Sequence, residues 1–532
     1  MRAFSTSLAL AAPLLALAAP AKRAGSDPTV TLSSGVIVGT ATSVLNQPSA
    51  TGLVNAYLGI PYAQSPPLRF APPTAAQAWS EPLIAQKLPP SCLQQFFPGE
   101  AGVKTKAYLN NPGGPPPAES EDCLYTNVYV PEGTKAGDNK AVMFWIYGGN
   151  NQFGTGSLAF YNGSSLAVNH DVIIVTFNYR MNIFGFSNSP EIPKNSQNSG
   201  YLDQRFALQW VQDNIRAFGG DPAKVTIFGE SAGGYGVKQL LAQPPSPLPF
   251  RAAILESQAQ GALGNGAVNY PIVLAHFNCA DITCLRAVPA QDILDFITDN
   301  ALGFFAVEDN TNVNSNSLPS ISSGQFAPVP ILIGTNKDEF TLFLDILGLN
   351  GATSPSQVPG LPANLSLIAN PLTDLYNSLV PPITTPILSR IATDAVFTCP
   401  ASSLSSAIVS AGRQPVWRYR FDADFPNVRF YPNAGAYHSS EIPEVFGTYF
   451  ENAQTTTAQR ELSKYMQSAW AGFAKNPTQG PGWPKLGSAG GKELQLLGSK
   501  ANENGGTTVS LTEADVACPL IFPVDVAAGF AY

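Results

Sequence analysis

Residues Gly229-Glu230-Ser231-Ala232-Gly233 form a G-x-S-x-G pattern. A serine flanked in this way is a candidate nucleophile, because the glycines leave room for a sharp turn that exposes its hydroxyl. The apolar run Val225–Phe228 leads into the pattern as a strand, and a helix-compatible stretch follows from Ala232. The Ser231 hydroxyl then stands at a helix N-terminus, where the dipole favours developing negative charge. The competing reading is a glycine-rich turn without chemistry.

A serine hydroxyl needs a base, and the base needs an orienting acid. On this kind of turn the acid and then the base follow the serine in the chain. There are three histidines. His170 precedes Ser231, and His276 lies close to Cys279 before the next clear core strand. His438 lies far downstream in the loop-like GAYHSSEIPEVFG, so order and context select it. The acid is sought in ILIGTNKDEF, where Pro330–Ile333 reads as a strand. The pattern there does not separate Asp338 from Glu339. Asp422 and Asp424, after VWRYRF, are weaker rivals. Stabilising an oxyanion takes convergent backbone N–H groups. Ala232 offers one, and the turn Gly148-Gly149-Asn150 after AVMFWI offers the others.

These residues need a scaffold. Ala141–Ile146, Val172–Phe177, Val225–Phe228, Ala252–Leu255 and Pro330–Ile333 read as strands covered on both faces. Ala207, Val211, Ile215 and Phe218 share one helical face before Gly219-Gly220, and Leu462, Met466, Trp470 and Phe473 repeat the spacing. Alternating strands and helices predict an α/β protein with a parallel sheet. No repeat or linker divides the chain, and Asn310–Ser317 and Gly351–Pro362 read as surface loops.

Of the 532 residues, 44% are apolar and only 12% charged, with a formal net charge of −8. No basic run exceeds Lys22-Arg23, which excludes a nucleic-acid footprint. No Cys-x-x-Cys or His-Glu-x-x-His spacing suggests a metal site, and nothing calls for a cofactor. Arg2, the apolar run Leu8–Ala19 and Ala19-Pro20-Ala21 read as a signal peptide over residues 1–21. That run is too short to span a bilayer, and no later stretch reads as a transmembrane helix. Lys22-Arg23 is a candidate dibasic processing site, and residues 24–532 read as one domain. Secretion allows the six cysteines to pair, with 15 connectivities open. Asn162 and Asn364 head glycosylation sequons.

With these motifs in place the chain resembles the type-B carboxylesterases, a family that includes cholinesterases and secreted fungal lipases. The resemblance runs from about Thr29 to Pro484. FGGDPAKVTIFGESAG and EDCLYTNVYVP match the family's two signatures. VNAYLGIPYA, NYRMNIFGF, LDQRFALQWVQDNI, ILIGTNKDE and HSSEIPEVFG follow as family blocks in family order. The resemblance implies an α/β-hydrolase fold, with a mostly parallel twisted sheet flanked by helices. It implies Ser231 as nucleophile, His438 as base, Glu339 as acid, and Gly149, Asn150 and Ala232 as oxyanion donors. It also implies the bridges Cys92–Cys123, closing a lid-like loop over 92–123, Cys279–Cys284 and Cys399–Cys518.

Three positions depart from the family pattern. Asn150 stands where Gly or Ala is usual, Phe340 replaces a glycine after the acid, and Gln258 replaces a glycine after Glu256-Ser257. Breakers in the loop, Pro98 and Gly99 before and Pro112, Gly113 and Gly114 after, leave room for one short helix, roughly Glu100 to Asn110. No tryptophan lies between Cys92 and Cys123, which counts against a choline ester, held elsewhere in the family by a cation–π contact. The function implied is a secreted serine carboxylic-ester hydrolase acting on a small-molecule or lipid ester. A lipase for long-chain acylglycerols or sterol esters is the alternative within that chemistry. A non-catalytic cholinesterase-like binding protein is the alternative outside it.

Overall fold

The computed structural model describes residues 27–43, 53–110, 112, 117–259, 266–349, 387–412 and 414–521. The expected signal peptide, the processing site and the Asn364 sequon lie outside the described residues.

Three short strands, β1 (Thr29–Leu32), β2 (Gly35–Val38) and β5 (Leu83–Ile84), form a small sheet. Among the described residues the central sheet has eleven strands. In chain order they are β3 (Thr40–Ser43), β4 (Leu53–Pro61), β6 (Tyr125–Pro131), β7 (Lys140–Ile146), β8 (Ile173–Phe177) and β9 (Gly220–Glu230). They continue with β10 (Ala252–Glu256), β11 (Ile331–Asn336), β12 (Val416–Phe421), β13 (Leu494–Ser499) and β14 (Asn502–Val509). Their spatial order is β14-β13-β12-β11-β10-β9-β7-β8-β6-β4-β3. From β8 through β13 neighbouring strands are parallel, as the apolar runs predict.

The rest of the sheet makes it mostly, not wholly, parallel, as the resemblance implies. β3, β4, β6 and β8 pair antiparallel, as do β13 and β14. The connection from Ser43 to Leu53 is too short for the crossover that a parallel pair requires.

Helices cover the sheet. Those used below are α1 (Gly99–Leu109), α2 (Ser199–Asn214), α3 (Ala232–Ala242), α4 (Thr341–Ile346) and α5 (Thr457–Lys475). Both expected helical faces are buried: Ala207, Val211, Ile215 and Phe218 on one, Leu462, Met466, Trp470 and Phe473 on the other. Gly219, at φ 88°, ends the first where the chain turns into β9. Among the described residues no helix is long and apolar enough to cross a membrane.

Asn310–Ser317 is less superficial than its composition suggests. The Asp309 carboxylate accepts the N–H groups of Thr311, Asn312 and Val313, and this folds the segment inward so that Val313 and Ser317 are buried.

All three bridges form: Cys92–Cys123, Cys279–Cys284 and Cys399–Cys518. A buried ion pair fixes the loop after β8. Arg180 Nε and an Nη donate to the two carboxylate oxygens of Asp203 on α2 at 2.8 and 2.7 Å, and the Arg180 N–H adds a third bond at 3.1 Å. This bidentate geometry compensates the cost of taking both charges out of water.

Candidate functional site

Ser231 lies between the end of β9 and the start of α3 with φ 57° and ψ −123°. That left-handed conformation costs a non-glycine residue about 1–3 kcal/mol. Its N–H donates to the Glu256 carbonyl at 3.0 Å, and its own carbonyl accepts the first bond of α3, from Tyr235 N–H. The turn presses against the end of β7. A Cβ at Gly233 would lie 2.0 Å from the Ile146 carbonyl oxygen, and one at Gly148 would lie 2.8 Å from Ser231 Cβ. The glycines of the motif are therefore required by close approach as well as by the turn.

The structure separates the two acids that the sequence pattern left together. Glu339 Oε2 lies 2.6 Å from His438 Nδ1, and Glu339 Oε1 accepts the Asn336 N–H at 2.7 Å. Asp338 instead accepts the Ala436 N–H at 3.1 Å, bracing the histidine loop from outside. Asp422 and Asp424 are engaged by Arg420 and Arg429. His170 ends a helix, and burial lowers its imidazole to about 4. His276 is stacked on Phe296. His438 shares a cavity with Ser231.

The third component follows β7. Gly149 has φ 103° and Asn150 φ 56°, both in the left-handed region, and Asn tolerates that region better than most residues. The departure at Asn150 thus preserves the turn. A Cβ at Gly149 would lie 2.1 Å from the Phe153 carbonyl oxygen, so this position admits only glycine. Gly149 and Asn150 line the same cavity as Ser231, while Ala232 begins α3 directly after it. The first N–H groups of a helix have no partner within it and are free to donate outward. Convergent donors beside a hydroxyl and a carboxylate-held imidazole can carry out acyl transfer.

The cavity measures about 310 Å³. Its walls are mostly aromatic and aliphatic, including Phe153, Phe160, Phe340, Phe343, Phe397 and Phe430. Phe340, a departure from the family pattern, is one of them. Gln258 is buried but does not line it. Among the described residues the lining holds no lysine or arginine.

A model of the carboxylesterase family matches residues 26–514. The chain belongs to the carboxylesterase family. It is 32% identical over 492 residues to cocaine esterase of Homo sapiens, covering 86% of this chain and 86% of that protein. It is 35% identical over 462 residues to para-nitrobenzyl esterase of Bacillus subtilis (strain 168), covering 81% and 88%. A solved PNB esterase structure superposes with a TM-score of 0.74 at 32% identity, covering 93% of this chain and 99% of that one. The chain has the α/β-hydrolase fold and is a carboxylic ester hydrolase.

One contact in the esterase was not legible in its motifs. His438 Nε2 lies 3.1 Å from Glu230 Oε1, so the imidazole is held between two carboxylates. Ser439 Oγ donates to the same Glu230 oxygen at 2.7 Å. The sequence places Glu230 beside the nucleophile, where it would tune the site's electrostatics, but nothing local shows that its side chain turns to His438. Asn336 was also missed. Its side-chain amide donates to the Tyr437 carbonyl and to Glu441, tying the end of β11 to the histidine loop. Burial lowers the His438 imidazole, but Glu230 and Glu339 outweigh it, and the net direction is upward. Turnover that needs the neutral imidazole therefore rises with pH through a value above the ordinary histidine range. In Glu230→Gln one of the two raising charges is gone. The acid limb of the kcat/KM profile is expected to move to lower pH, and an unmoved limb would rule out this role for Glu230.

Proposed function

We propose that the chain is a secreted serine hydrolase of neutral, largely apolar carboxylic esters, working through Ser231, His438 and Glu339. The observation that carries this reading is the Glu339–His438 contact at 2.6 Å, with His438 in one cavity with a left-handed Ser231. An entering ester displaces the imidazole from Glu230 toward Ser231. His438 takes the hydroxyl proton as Oγ attacks the ester carbonyl, and Glu339 stabilises the imidazolium. The oxyanion is held by the N–H groups of Gly149, Asn150 and Ala232, each worth about 10²–10³ in rate. His438 then protonates the leaving alcohol, and water resolves the acyl-enzyme by the same steps.

The substrate class follows from the cavity lining. With aromatic walls and Glu230 as its fixed carboxylate, the site favours an apolar acyl or aryl group and disfavours an anionic one. The names of the relatives, cocaine esterase and para-nitrobenzyl esterase, agree with ester substrates of this kind. Secretion is supported by the three disulfides and the composition of residues 1–21.

Two experiments test the reading. With p-nitrophenyl esters of graded chain length, the parent is expected to hydrolyse esters, and Ser231→Ala to lose about 10⁴-fold or more in kcat. Equal rates in the two proteins would refute the mechanism. Edman sequencing of protein recovered from the culture medium is expected to begin at Lys22 or Ala24. An intact Met1 would refute the signal peptide.

A further inference from the structure

One wall of the cavity comes from outside the central sheet. α1 is carried by the loop that Cys92–Cys123 closes, and it contributes Thr105, Tyr108 and Leu109 to the lining. The helix is short and has no side-chain cap at its N-terminus, and Val103 on its outer face is 67% exposed. A helix of this length is marginal alone, so its position depends on what fastens it.

The fastening converges on Asp345 of α4. Lys104 Nζ donates to the Asp345 carbonyl at 2.7 Å and lies 3.3 Å from its Oδ2. Tyr108 Oη donates to the same Oδ2 at 3.0 Å. Burial and Asp345 push the Tyr108 phenol up to about 12, so it remains a donor at neutral pH. The Tyr108 ring lies flat on Phe430, with centroids 5.2 Å apart and planes within 4°. Asp345 is almost fully buried, a setting in which a carboxylate needs hydrogen-bonding partners such as these. The opposite side of α4 faces the chemistry: the Phe343 ring lies 5.1 Å from the His438 ring. None of the clasp's hydrogen bonds reaches Ser231, Glu339 or His438.

We propose that Asp345 is a positioning residue for substrate selection: by clasping Lys104 and Tyr108 it fixes α1 as a rigid wall that disfavours long acyl chains. Short acyl esters fit within the fixed wall. Longer chains require Tyr108 and Leu109 to retreat, and the clasp opposes that movement. The inference rests on the ester-hydrolase reading and extends it to acyl-chain length.

The test compares kcat/KM for p-nitrophenyl octanoate and acetate, below their solubility limits, in the parent, Asp345→Asn, Lys104→Met, Lys104→Met/Tyr108→Phe and the last with Asp345→Asn added. Each single variant is expected to raise the octanoate-to-acetate ratio about threefold or more. In the Lys104→Met/Tyr108→Phe background Asp345→Asn should add less than about twofold, because both α1 arms of the clasp are already gone. An unchanged ratio in either folded single variant, including a uniform loss on both esters, overturns the proposal. So does an Asp345→Asn effect of full size in that background, which would place its action within α4. If Asp345→Asn fails to fold, Lys104→Met on the outer helix decides by the same ratio. A parent that cleaves neither ester overturns the hydrolase reading itself, and this inference with it.

Discussion

Ser231 holds a backbone conformation, φ 57° and ψ −123°, that a non-glycine residue adopts only under constraint. The constraint is the close approach of the β9–α3 turn to the end of β7, which leaves no room for a Cβ at Gly148, Gly229 or Gly233. The hydroxyl therefore stands clear of the turn at the carboxyl edge of the sheet. The other groups of the site arrive at the same edge. Gly149 and Asn150 follow β7, Glu339 follows β11, and His438 lies beyond β12. In open α/β sheets this is the edge where ligands bind. The conformational cost at Ser231 is offset by the packing of the flanking strand and helix, which are buried from Val225 to Glu230 and from Ala232 to Ala242.

The surroundings of the imidazole are unusually rich in buried carboxyl groups. Burial raises Glu256 to about 8 and Glu444 to about 8. Such groups are largely neutral at pH 7 and act as hydrogen-bonding residues. Glu256 meets Trp470 Nε1 and Glu444 meets Gln459. Glu441 is raised well above the ordinary carboxylate range, by burial first and by the neighbouring carboxyls second. Asn336 joins this buried layer to the Glu339–His438 pair, since its backbone serves Glu339 and its side chain serves Glu441 and Tyr437. The imidazole thus sits on a fixed polar network on one side and an apolar cavity on the other. A low-dielectric setting of this kind strengthens the electrostatic steps of acyl transfer.

Much of this was legible in the sequence, for identifiable reasons. The apolar runs of β7 through β11 announce buried parallel strands, because both faces are covered and no alternation is needed. Chain order, applied to three histidines, isolates His438. Asp338 and Glu339 could not be separated by pattern, since the choice depends on which side chain turns inward after β11. The antiparallel flank from β3 to β8 escaped for a similar reason: pairing direction depends on connection length and path more than on composition. The Asp345 clasp joins residues 237 and 241 positions apart and leaves no local trace in the sequence. The disulfide pairing came from family resemblance alone, as spacing leaves 15 arrangements open.

The proposed chemistry stands or falls on Ser231 as the nucleophile. The most direct measurement is covalent capture of the purified protein with a fluorophosphonate ester, followed by peptide mapping in a mass spectrometer. One adduct is expected, on Ser231, formed in step with the loss of esterase activity and slowed by saturating substrate. Loss of activity with Ser231 unmodified, or capture on a different side chain, would contradict it.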